Sequence, residues 1–253
     1  GFCPFPVFAA SAGPKAQLMA SGIKRAKTYL LNSREVSIWV RQSPRARRLT
    51  LSIEPRTGVP RLVTPQGITN MEVDQFLQRE ATWLLAQLDE LPPRILFQNG
   101  AKVPVMGTIC RIIHLPLLPW EVEREGNEIV IGGKYEELTC KLTEWMKGLA
   151  RQKVSMLAEQ KAGHLRCRIS GIKIRDPLTR WGSCSQTGGL SFSWRLVLAP
   201  PQVMDYVVAH EVAHLKEFDH SLAFWMLVKR LCPNYQKSKN WLAKYGSTLL
   251  RYG

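Results

Sequence analysis

The sequence lacks most of the features that would place it at once. Its six cysteines, Cys3, Cys110, Cys140, Cys167, Cys184 and Cys232, form no CxxC pair and show no close spacing. That excludes a zinc ribbon and a disulfide-built secreted scaffold, and it fits reduced thiols in the cytoplasm. No apolar run approaches the roughly 18 residues needed to cross a bilayer, so no membrane partner is expected. Residues 1–22 are rich in Pro, Ala, Gly and Phe but lack the basic stretch that precedes a signal peptide's apolar core, and they read as a loosely ordered extension. There is no internal repeat, no P-loop and no carboxylate cluster of the kind that holds magnesium. Acidic residues are also scarce. Twenty Asp and Glu stand against 35 Lys and Arg, a net charge of +15. Such an excess suits a polyanionic partner or an acidic substrate, and equally plain solubility, because no stretch joins a dense basic run to the interleaved aromatics of a nucleic-acid platform.

Histidine is scarcer still, with five in 253 residues, yet three of them fall between positions 210 and 220. His210-Glu211-Val212-Ala213-His214 lies in a segment that reads as helix from Pro201 onward. On an α-helix, residues four apart project about 40° from each other, so both imidazoles face the same way and can share one zinc ion. Glu211 is offset by about 100°, turned from the metal but near enough to reach a water upon it. This is the HExxH arrangement of a zinc hydrolase with glutamate as general base. A shuffled chain of this composition would hold roughly 0.006 such matches, so chance does not explain it.

The rest of the chain alternates between strand and helix patterns and predicts an α+β fold. Glu35–Val40 and Arg48–Ile53 alternate as strands around the basic segment Arg41–Arg48, where Arg45, Arg47 and Arg48 are candidate anion contacts, and Arg61–Thr64 completes a small antiparallel sheet. Thr69 with Glu72 makes a capping box before a helix that Pro92-Pro93 ends, with Trp83 packing on it. A second β region spans Ile95–Ile131 and contains His114, an isolated core or surface histidine. Tyr135–His164 turns helical, and Ile169–Ile174, Arg180–Ser185 and Leu190–Leu196 read as an antiparallel sheet before the histidine helix. The domains expected are 1–22, the extension; 23–134, a β-rich region with one helix; and 135–253, the catalytic domain.

A catalytic zinc usually takes three protein ligands and leaves one position open. If the helix simply continued, His220 would point about 120° away from His214 and lie about 9 Å further along the axis. The helix must therefore break near Phe218. Asp219 suits the break through its tolerance of left-handed backbone, and Asp219 or Ser221 can cap the next helix, Leu222–Leu231. His220 is then the third ligand. Glu217, three residues after His214 on the same face, is the alternative should the helix run on.

Taken together, Arg180-Trp181-Gly182-Ser183-Cys184-Ser185, Leu190–Leu196, the HExxH pair, and His220-Ser221 with Phe224-Trp225 resemble the YgjP-like family of zinc metallopeptidases, relatives of the SprT-type proteases. The resemblance begins at about residue 34. It implies a minimal zincin-like core behind an N-terminal β-rich region, Zn2+ on His210, His214 and His220, and Glu211 as catalytic base, and says little about substrate; the leading peptidase reading makes a peptide or protein the expected substrate. The spacing also matches the metzincin HExxHxxGxxH pattern, but Glu217 occupies the glycine position and implies a different helix ending.

For the oxyanion, Tyr206, one turn before His210, and Arg180 are candidate donors. The strand Leu190–Trp194 is a candidate edge for pairing an extended peptide. Trp181, Trp194 and Trp225 read as core, and Cys184 as a buried thiol rather than a fourth ligand. Two further readings follow from the charge: a metal-dependent nucleotide phosphohydrolase, and a DNA-associated SprT-like protease whose binding would fall steeply with salt.

Overall fold

The computed structural model describes residues 24–119 and 121–253, and the extension expected over 1–22 lies outside the described residues. The chain divides into two compact units, Gly1–Pro93 and Arg94–Gly253.

In the first unit, strands β1 (Lys24–Leu31), β2 (Arg34–Gln42), β3 (Thr50–Ile53) and β4 (Pro60–Thr64) form one sheet in the order β1-β2-β4-β3, and helix α1 spans Asn70–Asp89. β2 and β4 run parallel, so the sheet is not the antiparallel one expected. β4 buries Pro60, Leu62 and Thr64 whereas β3 is at most half-buried, so the more apolar strand takes the inner position. The alternation of Val36 and Ile38 turns them onto Val73, Leu77, Ala81 and Leu84 of α1, which recur at helical spacing. Burying each large aliphatic side chain here contributes about 1.5–3 kcal/mol. The capping box is present: the Thr69 hydroxyl accepts from the Glu72 N–H at 3.2 Å and the Glu72 carboxylate accepts from the Thr69 N–H at 2.8 Å. Trp83, expected to pack, is 45% exposed on the outer side of α1. Arg45, Arg47 and Arg48 are exposed in the loop after β2.

The second unit opens with β5 (Lys102–Val105), β6 (Thr108–Leu115), β7 (Val122–Glu125) and β8 (Glu128–Gly132), ordered β5-β6-β8-β7. Helix α2 (Leu138–Leu165) follows, and its row Leu142, Met146, Ala150, Val154, Ala158 and Ala162, one residue every four, is buried. Next come β9 (Gly171–Arg175), β10 (Gly182–Cys184) and β11 (Gly189–Ser193), a 3-10 segment Trp194–Leu198, and helices α3 (Pro201–Ala213), α4 (Leu222–Leu231) and α5 (Tyr235–Leu249). Val103, Ile112, Ile129 and Ile131 share one hydrophobic core with α2 and α3. The sheet at 102–132 therefore belongs with the helices that follow it, and the compact units part at Pro93 rather than at the residue 134 boundary expected from the sequence. His114 stitches this sheet, its Nε2 lying 2.7 Å from the Gly133 carbonyl.

The third sheet differs from expectation in three ways. Its order is β10-β11-β9 with β11 and β9 parallel, so it is mixed rather than antiparallel, and Leu190–Trp194 lies in its centre, where it offers no free edge. The strand also stops at Ser193, whose hydroxyl caps the 3-10 turn by accepting from the Arg195 N–H. Trp194 is 1% exposed, and its neighbour Arg195 reaches Asp176 at 2.8 Å and the Leu249 and Tyr252 carbonyls. The described residues thus form a mixed α+β fold of three small sheets and five helices.

Candidate metal centre

Helix α3 opens on Pro201, whose missing N–H costs nothing in a first turn, and carries Val203, Met204, Val207, Val208 and Val212 into the core. It ends at Ala213, earlier than Phe218. The chain then tightens: the Leu215 N–H donates to Val212 and the Lys216 and Glu217 N–H groups to Ala213. Asp219 acts through its side chain rather than through the left-handed backbone expected of it, its carboxylate accepting from the Ser221 N–H at 3.2 Å. Ser221 caps α4 by accepting from the Phe224 N–H at 3.4 Å. These turns swing His220 back over α3.

The result is one group of three ligand atoms, on His210, His214 and His220, all within 4.8 Å of one another. The Nε2 atoms of His210 and His220 are 3.2 Å apart. Two nitrogens each about 2.0–2.1 Å from a tetrahedral zinc would be about 3.3 Å apart, so this edge already has the required length. The His214 Nδ1 donates to the Glu217 carbonyl at 2.9 Å, which leaves its Nε2 bare for a metal. Glu217 therefore serves the site through its backbone, and its carboxylate is not in the ligand group. Cys184 is also outside it; its half-buried thiol donates to the Ser185 carbonyl.

Phe224, wholly buried, is the floor of the site, with ring centroids 4.9, 4.5 and 4.8 Å from His210, His214 and His220. Burial, followed by the neighbouring His214 and His220, holds His210 down to about 4, so its ring is neutral at physiological pH, the form that ligates. Its Nδ1 is buried without a hydrogen-bond partner. Three convergent imidazoles thus form a donor set that could hold a metal ion at this point.

Glu211 sits one residue along from His210 and is 6% exposed. Burial pushes its carboxyl up to about 7 against the opposing pull of Arg180. Gly182 of β10 makes room for it: a Cβ there would lie 2.5 Å from Cγ and 2.6 Å from Oε1 of Glu211. Sequence reasoning did not single out Gly182, although a glycine inside a strand signals close approach. Tyr206 is packed between His210 and Tyr235, at centroid distances of 6.1 and 6.2 Å, and burial with the nearby Glu211 charge raises its phenol to about 12. It is therefore a protonated donor. Arg180 and Tyr206 both lie within electrostatic reach of Glu211. Trp181 and Trp225 are half-buried; Trp181 packs on Gly246, and Trp225 lies beside His210 and His220 with the Lys239 ammonium 4.2 Å above its ring. Lys239 was not visible as a site residue in the sequence, since it arrives on α5 from far along the chain.

A search of the curated proteins found no match. Among solved structures, the chain is similar to the metallopeptidase zymogen of Pyrococcus abyssi abylysin, with 23% identity, a TM-score of 0.34, and coverage of 37% of this chain and 95% of that one. Residues 47–245 match the family described as "YgjP-like, metallopeptidase domain", and the chain therefore belongs to the YgjP-like metallopeptidase family.

Proposed function

We propose that the protein is a zinc-dependent peptidase in which Glu211 is the general base. The observation that carries this reading is the placement of a buried carboxyl, held over Gly182, next to three convergent imidazoles. Zinc held by His210, His214 and His220 would supply Lewis acidity toward a carbonyl oxygen and toward water. Glu211, with its carboxyl poised near neutrality, accepts the proton of the attacking water and returns it to the leaving amine. The Arg180 cation and the Tyr206 hydroxyl steady the negative charge that develops as the carbonyl is attacked. An extended substrate pairs with β10, an edge strand of its sheet, in place of the interior Leu190–Trp194 segment. The nucleotide phosphohydrolase reading receives less support, because the metal-ligand group among the described residues is all histidine, without the carboxylates that suit magnesium.

The test is cleavage of a denatured-protein or peptide library by the purified chain, monitored by mass spectrometry. Cleavage that stops on chelation and returns with zinc supports the proposal. Release of phosphate from nucleoside triphosphates with no new peptide termini refutes it.

A further inference from the structure

The three-stranded sheet has two unlike faces. Side chains alternate along each strand, and cross-strand partners share a face. Gly182, Phe192 and Ile174 are in register, and Gly182 points at Glu211, so this row faces α3 and the metal centre. The next row, Ser183, Ser191 and Lys173, must face the other way, as must Arg175, which pairs with Ser193. Ser183, Ser191, Lys173 and Arg175 line a groove with a cavity volume of about 640 Å³, which Gly182 and Arg180 also line.

The lining of this groove is one-sided in charge. Lys173, Arg175 and Arg180 contribute three cations, with hydroxyls from Ser170, Ser183, Ser185, Thr187 and Ser191, and no Asp or Glu. Among the described residues Lys173 and Arg175 have no ion-pair partner. The carboxylate next along the chain, Asp176, is taken by Arg195 at 2.8 Å. Lys173 and Arg175 sit two residues apart on β9, about 6.6 Å, the repeat at which side chains recur on one face of an extended peptide. Phe192, the lining aromatic, is 1% exposed and gives a nucleobase nothing to stack on. Gly182 lines the groove and also abuts Glu211, so chain held in the groove has one strand's width to cross to the metal side.

We propose that this groove is an exosite for an acidic polypeptide segment, with Lys173 and Arg175 as the residues that select it. The proposal rests on the metallopeptidase reading for its substrate class: the protein favours polypeptides that carry Glu or Asp at alternating positions beside the cleaved stretch, and it holds them in a groove that adjoins the catalytic residues through Gly182 and Arg180.

The test is fluorescence anisotropy with the full-length Glu211→Gln chain, which holds substrate without turnover. The probes are a labelled peptide of alternating Glu and Gly, its Gln counterpart, and a single-stranded oligodeoxythymidine of equal charge as competitor. The Glu peptide binds, the Gln peptide does not, and Lys173→Glu/Arg175→Glu weakens binding by about tenfold or more at physiological salt. Arg25→Glu/Lys27→Glu, which removes comparable charge from exposed positions on β1 of the first unit, leaves the affinity unchanged. Undiminished binding in the groove variant with a normal circular dichroism spectrum overturns the proposal. So does an oligonucleotide that displaces the peptide at lower concentration than unlabelled peptide does, since that assigns the groove to nucleic acid. Groove-dependent binding by a chain whose wild type cleaves no peptide would leave the exosite standing and remove the peptidase reading. Cleavage by the wild type with no Glu-selective binding would do the reverse.

Discussion

Removing the Glu211 charge should stabilise the metal-free protein, and the amount should depend on pH. In the folded chain the carboxyl is raised from 4.5 to about 7, mainly by burial. The folded state therefore binds more protons than the unfolded state between those values. Glu211's contribution is most favourable below about pH 4.5 and is lost as pH rises through about 7. One unit is worth about 1.4 kcal/mol, so the full penalty is about 3 kcal/mol at pH 8 and about 1 kcal/mol at pH 5.5. A glutamine side chain in its place carries no charge to desolvate and keeps the shape. The Glu211→Gln protein, stripped with a chelator, should thus gain about 3 kcal/mol over wild type at pH 8, roughly 6–12 °C in Tm, and much less at pH 5.5. The depressed pKa of His210 affects both proteins and cancels to first order in the difference. The assay is paired thermal or urea unfolding across this range. A stability difference that stays constant from pH 5.5 to pH 8, or one that favours wild type at pH 8, would refute the claim that burial outweighs the pull of Arg180 on the Glu211 carboxyl.

Other substitutions separate holding the metal from using it. His210→Ala or His214→Ala should lower zinc affinity by more than about 100-fold, read by competition with a chromogenic chelator, because each removes a ligand rather than its support. Gly182→Ala should leave zinc content unchanged but reduce kcat by about 100-fold, since its Cβ displaces Glu211 from beneath β10; an unaltered kcat would show that the carboxyl has room to shift. Ser221→Ala removes the cap of α4 and should cost about 1 kcal/mol in urea unfolding while weakening zinc binding several-fold through a looser His220.

The candidate site is legible in the sequence because its residues lie in local geometry. His210, Glu211 and His214 follow from helical spacing alone, and Thr69 with Glu72 and Ser221 before Leu222 are caps that depend on neighbours three residues away. What escapes is non-local. The parallel pairing of β2 with β4 and of β11 with β9 depends on which strand buries more apolar surface, a property of the whole sheet. Helix α3 ends at Ala213, earlier than residue preferences indicate, because Asp219 and the Glu217 carbonyl shape the break through a side chain and a backbone oxygen. The β region at 102–132 joins the second unit rather than the first, since alternation reveals that Ile112 and Ile129 are buried but not that α2 shares their core. Phe224 and Gly182 sit inside the quoted motifs, yet only the fold shows one as the floor of the histidine cluster and the other as the space that Glu211 fills.

The central claim is that three histidines hold one zinc ion while Glu211 moves the proton, two tasks assigned to different residues of one helix turn and its following loop. The direct measurement is zinc content by mass spectrometry alongside peptide hydrolysis, on wild type and Glu211→Gln prepared together. The account predicts one zinc per chain in both proteins and hydrolysis in wild type alone. Wild type that carries no zinc, or a Glu211→Gln protein that hydrolyses peptide as fast as wild type, would contradict it.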